Sequence, residues 1–272
     1  MITGNQNLHT HTTYCDGALE PEAMVKAAIR KGCESIGFSE HSFVAFDTCY
    51  SMDMDLTNDY IKDVNALREK YKGTIEIFLG LEQDYLTEDV PGSLDFIIGS
   101  VHYVEKNGKF VSVDAGARQQ KAMIEKYFGG DYYEMAEDYF AVAADIIKKT
   151  NADIVGHFDL AAKYNLGGSL FDETHPRYVN AALEAMDEIL KDCKLFEVNT
   201  GAMFRLRKTE PYPSVFLLKE LYKRGGEVIL SSDSHDAESI CYKFGEMREL
   251  VKACGFKYIK RLSKSGFIDV KL

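Results

Sequence analysis

The sequence predicts an α/β protein, a distorted (β/α)7 barrel related to the eight-fold TIM barrel. Two observations lead to this fold class: seven short apolar runs, and amphipathic stretches with helical spacing between most of them. Runs that are apolar throughout are typical of a covered parallel sheet, and seven such units close more naturally into a barrel than into an open doubly wound sheet, which is the alternative. The 272 residues, 46% of them hydrophobic, contain no Pro-, Gly- or Ser-rich linker, so we expect a single barrel domain over residues 1–272.

Each predicted element has its own local signal. The seven strand candidates are rich in β-branched and aromatic residues and are, in chain order, NQNLHTH (5–11), ESIGFSEH (34–41), TIEIFLGLEQ (74–83), LDFIIGSVH (94–102), ADIVGHFDL (152–160), LFEVNTG (195–201) and EVILSSDSH (227–235). The helix candidates, several with Pro or Thr at the start and Lys or Arg near the end, are Pro21 to Lys31, Thr57 to Lys70, Tyr132 to Lys149, Pro176 to Lys191 and Pro213 to Arg224. Strand and helix therefore alternate, as a barrel requires.

Composition excludes several classes of protein. The chain has 43 acidic and 32 basic residues, a net charge of −11, which disfavours a nucleic-acid partner because the overall field repels phosphates. No stretch approaches the roughly 20 apolar residues needed to span a bilayer, so we expect no membrane association. The start of the chain lacks the basic and apolar regions of a signal peptide, and the six cysteines form no C-x-x-C pair; both observations predict a cytoplasmic protein with reduced thiols.

The histidines are concentrated at the ends of the predicted strands. Six of the seven, His9, His11, His41, His102, His157 and His235, end or directly follow an apolar run, whereas His175 lies at the start of a helix candidate. The carboxyl ends of barrel strands meet at one face, so these six imidazoles should lie in one cleft with Asp16, Glu82 and Asp233. Imidazole and carboxylate groups gathered in this way predict a site for divalent metal ions at the carboxyl ends of the strands.

Spacing strengthens the metal hypothesis. His9 and His11 are two residues apart, so on a strand both side chains project from the same side and can reach one ion. Asp233 and His235 repeat this spacing on the last strand, which in a closed barrel returns beside the first. Glu82 falls near the end of the longest apolar run, where a buried carboxylate is costly unless cations neutralise it, and it is a natural bridge between two ions.

Other catalytic signatures are missing or poorly placed. The chain has no G-x-S-x-G elbow, no G-x-x-x-x-G-K-[ST] loop, no G-x-G-x-x-G turn and no cysteine followed six positions later by arginine. DMDLT at positions 53–57 matches the core of phosphatases with an aspartyl nucleophile, but TCYSM rather than an apolar strand precedes it, and Thr57 is better interpreted as a helix N-cap. Metal-assisted hydrolysis is the chemistry that remains.

Seven segments together resemble one known family. They are HTHTTYCDG (9–17), SEHS (39–42), GLEQDY (80–85), GSVHY (99–103), GHFDL (156–160), EVNTG (197–201) and SSDSH (231–235). In this order they resemble the PHP (polymerase and histidinol phosphatase) family, and more closely its stand-alone histidinol-phosphatase branch. The resemblance implies a distorted (β/α)7 barrel with three divalent metal ions, zinc, manganese or iron.

The resemblance also implies a ligand set. One ion would be held by His9, His11 and Asp233, with Glu82 bridging to a second ion that takes His102 and His157, and the third ion would be held by Asp16, His41 and His235. Members of the branch tend to carry a serine-glycine-leucine-arginine stretch after the asparagine-threonine pair. This chain has GAMFR there, which leaves Arg205 as the expected phosphate contact. Basic residues expected soon after GHxDL are reduced to Lys163, and Arg118 is a lesser candidate for substrate binding.

The implied reaction is hydrolysis of a small-molecule phosphate monoester. The expected substrate is L-histidinol phosphate, which is converted to L-histidinol in histidine biosynthesis, and the expected nucleophile is a hydroxide that bridges two ions. Glu82, His157 and Arg205 are the expected catalytic residues, and the acidic chain can supply carboxylates that recognise the amine and imidazole of the substrate. A phosphodiesterase or nuclease acting on nucleotides or nucleic-acid ends, as in other PHP proteins, is the alternative.

Overall fold

A computed structural model of the chain describes residues 5–87 and 90–272. Its strands are, in chain order, β1 Gln6–Asn7, β2 Ser35–Phe38, β3 Glu76–Asp84, β4 Phe96–Ser100, β5 Tyr103–Lys106, β6 Lys109–Ser112, β7 Ile154–Val155, β8 Leu195–Asn199, β9 Glu227–Ser231, β10 Tyr258–Ser263 and β11 Gly266–Lys271. Seven of them form one parallel sheet in the order β1-β2-β3-β4-β7-β8-β9. Six of the seven lie within the predicted strand runs, and β3 extends one residue beyond its run, to Asp84.

The first and last strands of this sheet meet beyond their carboxyl ends. The backbone N–H of His11 donates to the carbonyl of Ser234 (2.8 Å), and the N–H of Ser234 donates to the carbonyl of His9 (3.0 Å). These two hydrogen bonds form a seam that joins the edges of the sheet. The sheet is thus a nearly closed seven-stranded barrel, which confirms the fold class predicted from the sequence.

The helices lie between the strands along the chain: α1 Pro21–Arg30, α2 Met54–Lys70, α3 Ala117–Phe128, α4 Tyr132–Ala143, α5 Ile146–Thr150, α6 Pro176–Ile189, α7 Gly201–Arg205, α8 Val215–Lys223 and α9 Phe244–Ala253. The prediction that Thr57 caps α2 is wrong. Asp53 is the N-cap, because its carboxylate accepts the N–H of Leu56 (2.8 Å), and the Thr57 hydroxyl instead donates to the carbonyl of Asp53 (2.7 Å).

The single helix predicted from Tyr132 to Lys149 is two helices. The N–H of Asp145 donates to the carbonyl of Val142 (3.1 Å), three residues earlier instead of the four of an α-helix, so the turn is tighter here. The Asp145 carboxylate also accepts the Tyr85 hydroxyl (3.1 Å). This turn ends α4 and starts α5.

Among the helices of the described residues, none combines the length and the apolar character needed to cross a bilayer.

The amino end of the barrel is filled with apolar side chains. Phe96 packs there in a buried cluster with residues of five other strands, and the clusters between sheet and helices are also apolar. A Cβ on Gly80 would lie 2.3 Å from the Phe96 ring, and one on Gly37 would lie 2.9 Å from it, so both positions require glycine. The hairpin β10–β11 covers this end, because the Gln6 side chain exchanges two hydrogen bonds with the Leu262 backbone (2.9 and 2.8 Å).

Candidate metal centre and active site

His9 and His11 follow β1 and share a pair of carboxylates. Their Nε2 atoms lie 3.2 and 3.4 Å from Oε2 of Glu82, and 3.9 and 3.5 Å from Oδ1 of Asp233. Both rings are fully buried, and their centroids are 5.1 Å apart. The spacing of two residues thus brings both imidazoles to one point, as the sequence predicts.

Glu82 separates this group from a second one. Its Oε1 lies 2.9 Å from Nε2 of His157 and 3.5 Å from Nε2 of His102, while its Oε2 faces the first group and also Nδ1 of His41 at 2.9 Å. Glu82 is 1% exposed, at the middle of the cluster. A carboxylate that turns one oxygen toward each group of imidazoles has the geometry of a bridging ligand.

A third group lies nearer the surface. Oδ1 of Asp16 lies 3.6 Å from Nε2 of His41 and 3.2 Å from Nε2 of His235. Their donor atoms and one from His11 all lie within 4.8 Å of one another. The structure therefore brings all nine predicted ligands into one cluster, in which His41 groups with Glu82 and His102 as well as with Asp16 and His235.

The donor atoms fit divalent metal ions. Nε2 of His9 and Nε2 of His11 are buried and have no hydrogen-bond partner within the described residues. Buried polar atoms without partners are costly, and their convergence on one point is expected where a cation completes their contacts. Nitrogen and carboxylate oxygen donors suit zinc, manganese and iron alike.

The imidazoles differ in their electrostatic surroundings. Burial, with the neighbouring His41 and His235, lowers the pKa of His11 to about 3, so this ring is neutral and has a lone pair free for an ion. Burial opposes protonation of His9 too, but Glu197, Glu82 and Asp233 together raise its pKa well above the ordinary value. The carboxylates around His9 therefore stabilise positive charge at this position.

Two buried carboxylates behind the ligands were not found from the sequence. Glu197 accepts the Nδ1–H of His9 (2.8 Å), the backbone N–H of His157 (2.6 Å) and the hydroxyl of Ser231 (2.5 Å). Asp84 lies 3.0 Å from Nδ1 of His102 in the same way. Such partners fix the ring orientation of a metal-binding histidine. A signal existed for both: Glu197 is a charged residue inside an apolar strand, and Asp84 is two residues from Glu82.

A cavity of about 370 Å³ opens above the donor groups. Arg205 and Lys163 are the basic residues that line it. Arg205 donates to Oδ2 of Asp233 (2.8 Å), and its Nη1 lies 2.8 Å from Nδ1 of His235. Burial disfavours its charge, but Asp233 raises the pKa of Arg205 above its ordinary value, so the guanidinium stays charged at the cavity. Its side chain is 30% exposed, which leaves it accessible to a bound anion.

The other basic candidates differ in position. Nζ of Lys163 lies 3.1 Å from Oδ2 of Asp114 at the cavity. Arg118 is exposed in the first turn of α3 and is not one of the described residues that line the cavity. His175, set apart in the sequence, caps α6 through Nδ1, which accepts the N–H of Arg177 (3.2 Å). The structure therefore does not bring Arg118 or His175 into the site.

A parallel barrel with imidazole and carboxylate donors at its carboxyl end defines a class of protein, the barrel hydrolases that use metal ions. The model of the PHP domain family matches residues 7–201 of this chain. The chain belongs to the PHP domain family.

Several curated relatives match nearly the whole chain, among them the following two. A Deinococcus radiodurans protein named probable histidinol-phosphatase is 28% identical over 265 residues, which cover 93% of this chain and 95% of the relative. The histidinol-phosphatase of Lactococcus lactis is 28% identical over 280 residues, which cover 94% and 93%.

The fold is shared with solved structures, of which two are compared with this chain. One, from Listeria monocytogenes, has a TM-score of 0.78 at 21% identity and covers 89% of this chain and 99% of its own. The other is the histidinol phosphate phosphatase of Lactococcus lactis, solved with zinc, L-histidinol and phosphate. It has a TM-score of 0.72 at 25% identity and covers 97% and 98%.

Proposed function

We propose that this protein is a metal-dependent phosphatase that hydrolyses L-histidinol phosphate to L-histidinol and phosphate. The observation that carries the proposal is the convergence of nine imidazole and carboxylate donors beneath a cavity that also holds Arg205 and Lys163. The names of the full-length relatives, and the zinc, L-histidinol and phosphate bound to one of them, support the substrate.

We assign the donors to three ions as the sequence resemblance implies. The first ion would be held by His9, His11, Glu82 and Asp233, the second by Glu82, His102 and His157, and the third by Asp16, His41 and His235. When bound, such ions polarise phosphate oxygens and lower the pKa of water, so that a nucleophile forms near neutral pH.

The residues of the chain prepare the substrate for attack. Arg205 offers guanidinium N–H donors at the cavity, and this planar fork suits the oxygens of a phosphate. Lys163 adds a second positive charge near the same anion. Glu82 and His157 hold each other at 2.9 Å and so keep two donor groups in a fixed relation.

The charges of the cavity favour a small cationic alcohol over a polynucleotide. Asp16, Glu82 and Asp233 of its lining belong to the donor groups, and Asp114 pairs with Lys163. Among the described residues, Asp47 is the lining carboxylate that forms no ion pair with a basic side chain. A monoester with an amine and an imidazole brings positive charge to Asp47, whereas a nucleic acid adds negative charge to a chain whose net charge is already −11. We therefore rank the phosphodiesterase or nuclease alternative second.

A substrate panel tests the proposal. We expect kcat/KM for L-histidinol phosphate to exceed that for p-nitrophenyl phosphate by at least about 100-fold, the size of effect that specific polar contacts to a substrate provide. Single-stranded DNA should remain intact at the same protein concentration. A preference for nucleotides or DNA ends would place the protein with the phosphodiesterases, and equal activity on unrelated monoesters would make it a general phosphatase.

Metal content tests the ligand assignment separately. We expect about three equivalents of transition metal per chain in protein purified without chelator, one for each donor group. Elemental analysis that finds less than one equivalent after reconstitution with zinc, manganese or iron would refute the assignment.

We further propose that residues 1–272 act as one domain in the cytoplasm. The hydrogen bonds between Gln6 and Leu262 support one domain, because they tie the last hairpin to the first strand. The six cysteines are free thiols, which suits a reducing compartment.

A further inference from the structure

One side of the cavity is aromatic. Tyr50 and Tyr103 line it next to the metal-ligand candidates. The Tyr50 ring lies edge-on to His41 at 4.8 Å between centroids and 6.3 Å from His102, and its centroid is 6.5 Å from that of Tyr103 with ring planes 28° apart. Tyr50 therefore connects the donor groups to Tyr103.

Asp47 lies against this aromatic side of the cavity. Its Oδ2 accepts the hydroxyl of Tyr103 (2.8 Å), and its Oδ1 accepts the backbone N–H of Cys49 (3.3 Å). Both partners are neutral, and within residues 5–87 and 90–272 no basic side chain forms an ion pair with Asp47. The other carboxylates of the cavity lining are engaged: Asp114 pairs with Lys163, and Asp16, Glu82 and Asp233 belong to the donor groups. Asp47 thus presents a negative charge without a cation.

Two exposed aromatic residues extend this aromatic side of the cavity outward. Phe46 and Phe110 are 47% and 42% exposed and stack on each other at 4.4 Å with planes 16° apart. Phe46 also packs edge-on against Tyr103 at 4.9 Å. Aromatic surface exposed to water beside a cavity is typical of a place where a planar apolar group binds.

We propose that Asp47, Tyr50 and Tyr103 form the subsite for the imidazole ring of the leaving alcohol, an inference that rests on the proposed function. The ring packs on the tyrosines and donates an N–H to the Asp47 carboxylate. In L-histidinol phosphate the amine is on the carbon next to the esterified one, so it stays close to the phosphate. The imidazole is farther from the phosphate along the carbon chain of the substrate. Asp47 fits this position because it contacts Tyr103, whereas Tyr50 borders the donor groups. Asp47, Tyr50 and Tyr103 therefore determine specificity and take no part in bond cleavage.

The test compares three substrates on the zinc-loaded, full-length protein with Asp47→Asn. L-Histidinol phosphate carries the amine and the imidazole, O-phosphoethanolamine carries only an amine, and p-nitrophenyl phosphate carries neither. We expect kcat/KM for L-histidinol phosphate to fall about 10- to 100-fold, the effect of losing a hydrogen bond to a charged group. The fall for the other two substrates should be at least about fivefold smaller.

Product inhibition gives a second measurement. Asp47→Asn should weaken inhibition by L-histidinol and leave inhibition by inorganic phosphate close to that of the unmodified enzyme. Asp114→Asn is the matched control, because Asp114 holds Lys163, and we expect it to lower activity on the three substrates alike. Zinc content and circular dichroism of each variant show whether it has folded.

Several outcomes overturn the subsite. They are an equal loss on all three substrates with Asp47→Asn, no loss on any of them, or a selective loss with Asp114→Asn instead. If Asp47→Asn fails to fold, Tyr103→Phe replaces it: this variant keeps the ring, removes the donor to Asp47 and should lower selectivity for L-histidinol phosphate about 2- to 10-fold. If the unmodified enzyme does not prefer L-histidinol phosphate, the proposed function fails; if it does and Asp47→Asn keeps that preference, only the subsite fails.

Discussion

The floor and the wall of the cavity are built in different ways. The floor consists of the nine metal-ligand candidates, His9, His11, Asp16, His41, Glu82, His102, His157, Asp233 and His235. The wall consists of Asp47, Tyr50, Tyr103, Asp114, Lys163 and Arg205. Most floor residues are buried at strand ends, whereas most wall residues lie in loops or short elements and are partly exposed. Strand ends are held by the sheet, and loops tolerate change. The floor thus suits the reaction, Arg205 and Lys163 of the wall suit the binding of phosphate, and Asp47, Tyr50 and Tyr103 suit the choice of substrate.

Removing a floor residue should have the largest effect. His157→Ala deletes the closest partner of Oε1 of Glu82, so we expect loss of one ion and a kcat at least about 100-fold lower. Metal analysis and steady-state kinetics measure both effects.

His175→Ala is the control for His157→Ala. It removes the cap of α6 far from the donors and should leave kcat nearly intact while lowering the free energy of unfolding by about 1 kcal/mol. Equal losses of activity in the two variants would contradict the distinction between strand-end histidines and His175.

Arg205 connects the wall to the floor, and its removal should have the next largest effect. Arg205→Ala should lower kcat/KM because a charge-assisted phosphate contact is lost. The corresponding activation free energy should rise by about 2 to 4 kcal/mol. Because Arg205 also binds Asp233, metal content is measured in parallel. A variant that loses an ion as well would show that Arg205 acts by holding the ligand Asp233 rather than by binding phosphate.

The buried carboxylates under the floor should have a smaller effect, on affinity for metal. Glu197→Gln keeps the shape but removes the charge that faces Nδ1 of His9, and we expect metal affinity to weaken about 10- to 100-fold. Titration with a competing chelator measures it. Asp84→Asn should weaken the affinity for the ion near His102 by a similar factor. Unchanged metal affinity in both variants would mean that the sheet alone holds the floor residues in position.

The smallest effect is expected among the basic residues. Lys163→Ala should lower kcat/KM for any phosphate ester about 10-fold, because it removes one positive charge from the cavity. Arg118→Ala, on the exposed start of α3, should change it less than about twofold. The reverse order in the same assay would mean that the phosphate binds nearer α3.

The floor could be predicted from the sequence because it depends on local rules. The spacing of His9 and His11 fixes their common direction, and parallel topology brings strand ends such as His157 and Asp233 to one face. The seven strands follow from their apolar composition, and the structure confirms them. The PHP family, inferred from seven segments, is confirmed by the family match.

The wall could not be predicted in this way because no local rule places a loop. Asp47 and Tyr50 lie in an irregular segment, and tertiary contacts bring that segment to the cavity: Asp47 accepts the Tyr103 hydroxyl, and Tyr50 packs against His41. Some of the missed structure did have a signal. Asn107 and Gly108, both with positive φ, form the turn of the hairpin β5–β6, and an Asn-Gly pair between apolar runs is a strong hairpin signal.

The seam between the first and last strands determines when the site can form during folding. His9 and His11 are made early, but their partners Asp233 and His235 follow β9, the last strand of the sheet, and flank Ser234 of the seam. Joining such distant parts of a chain costs loop-closure entropy, and contacts of this kind slow folding. A ribosome-bound chain that ends before β9 therefore lacks one of the four donors proposed for the first ion, Asp233, and both partners of Arg205, so the competent enzyme appears only late in synthesis.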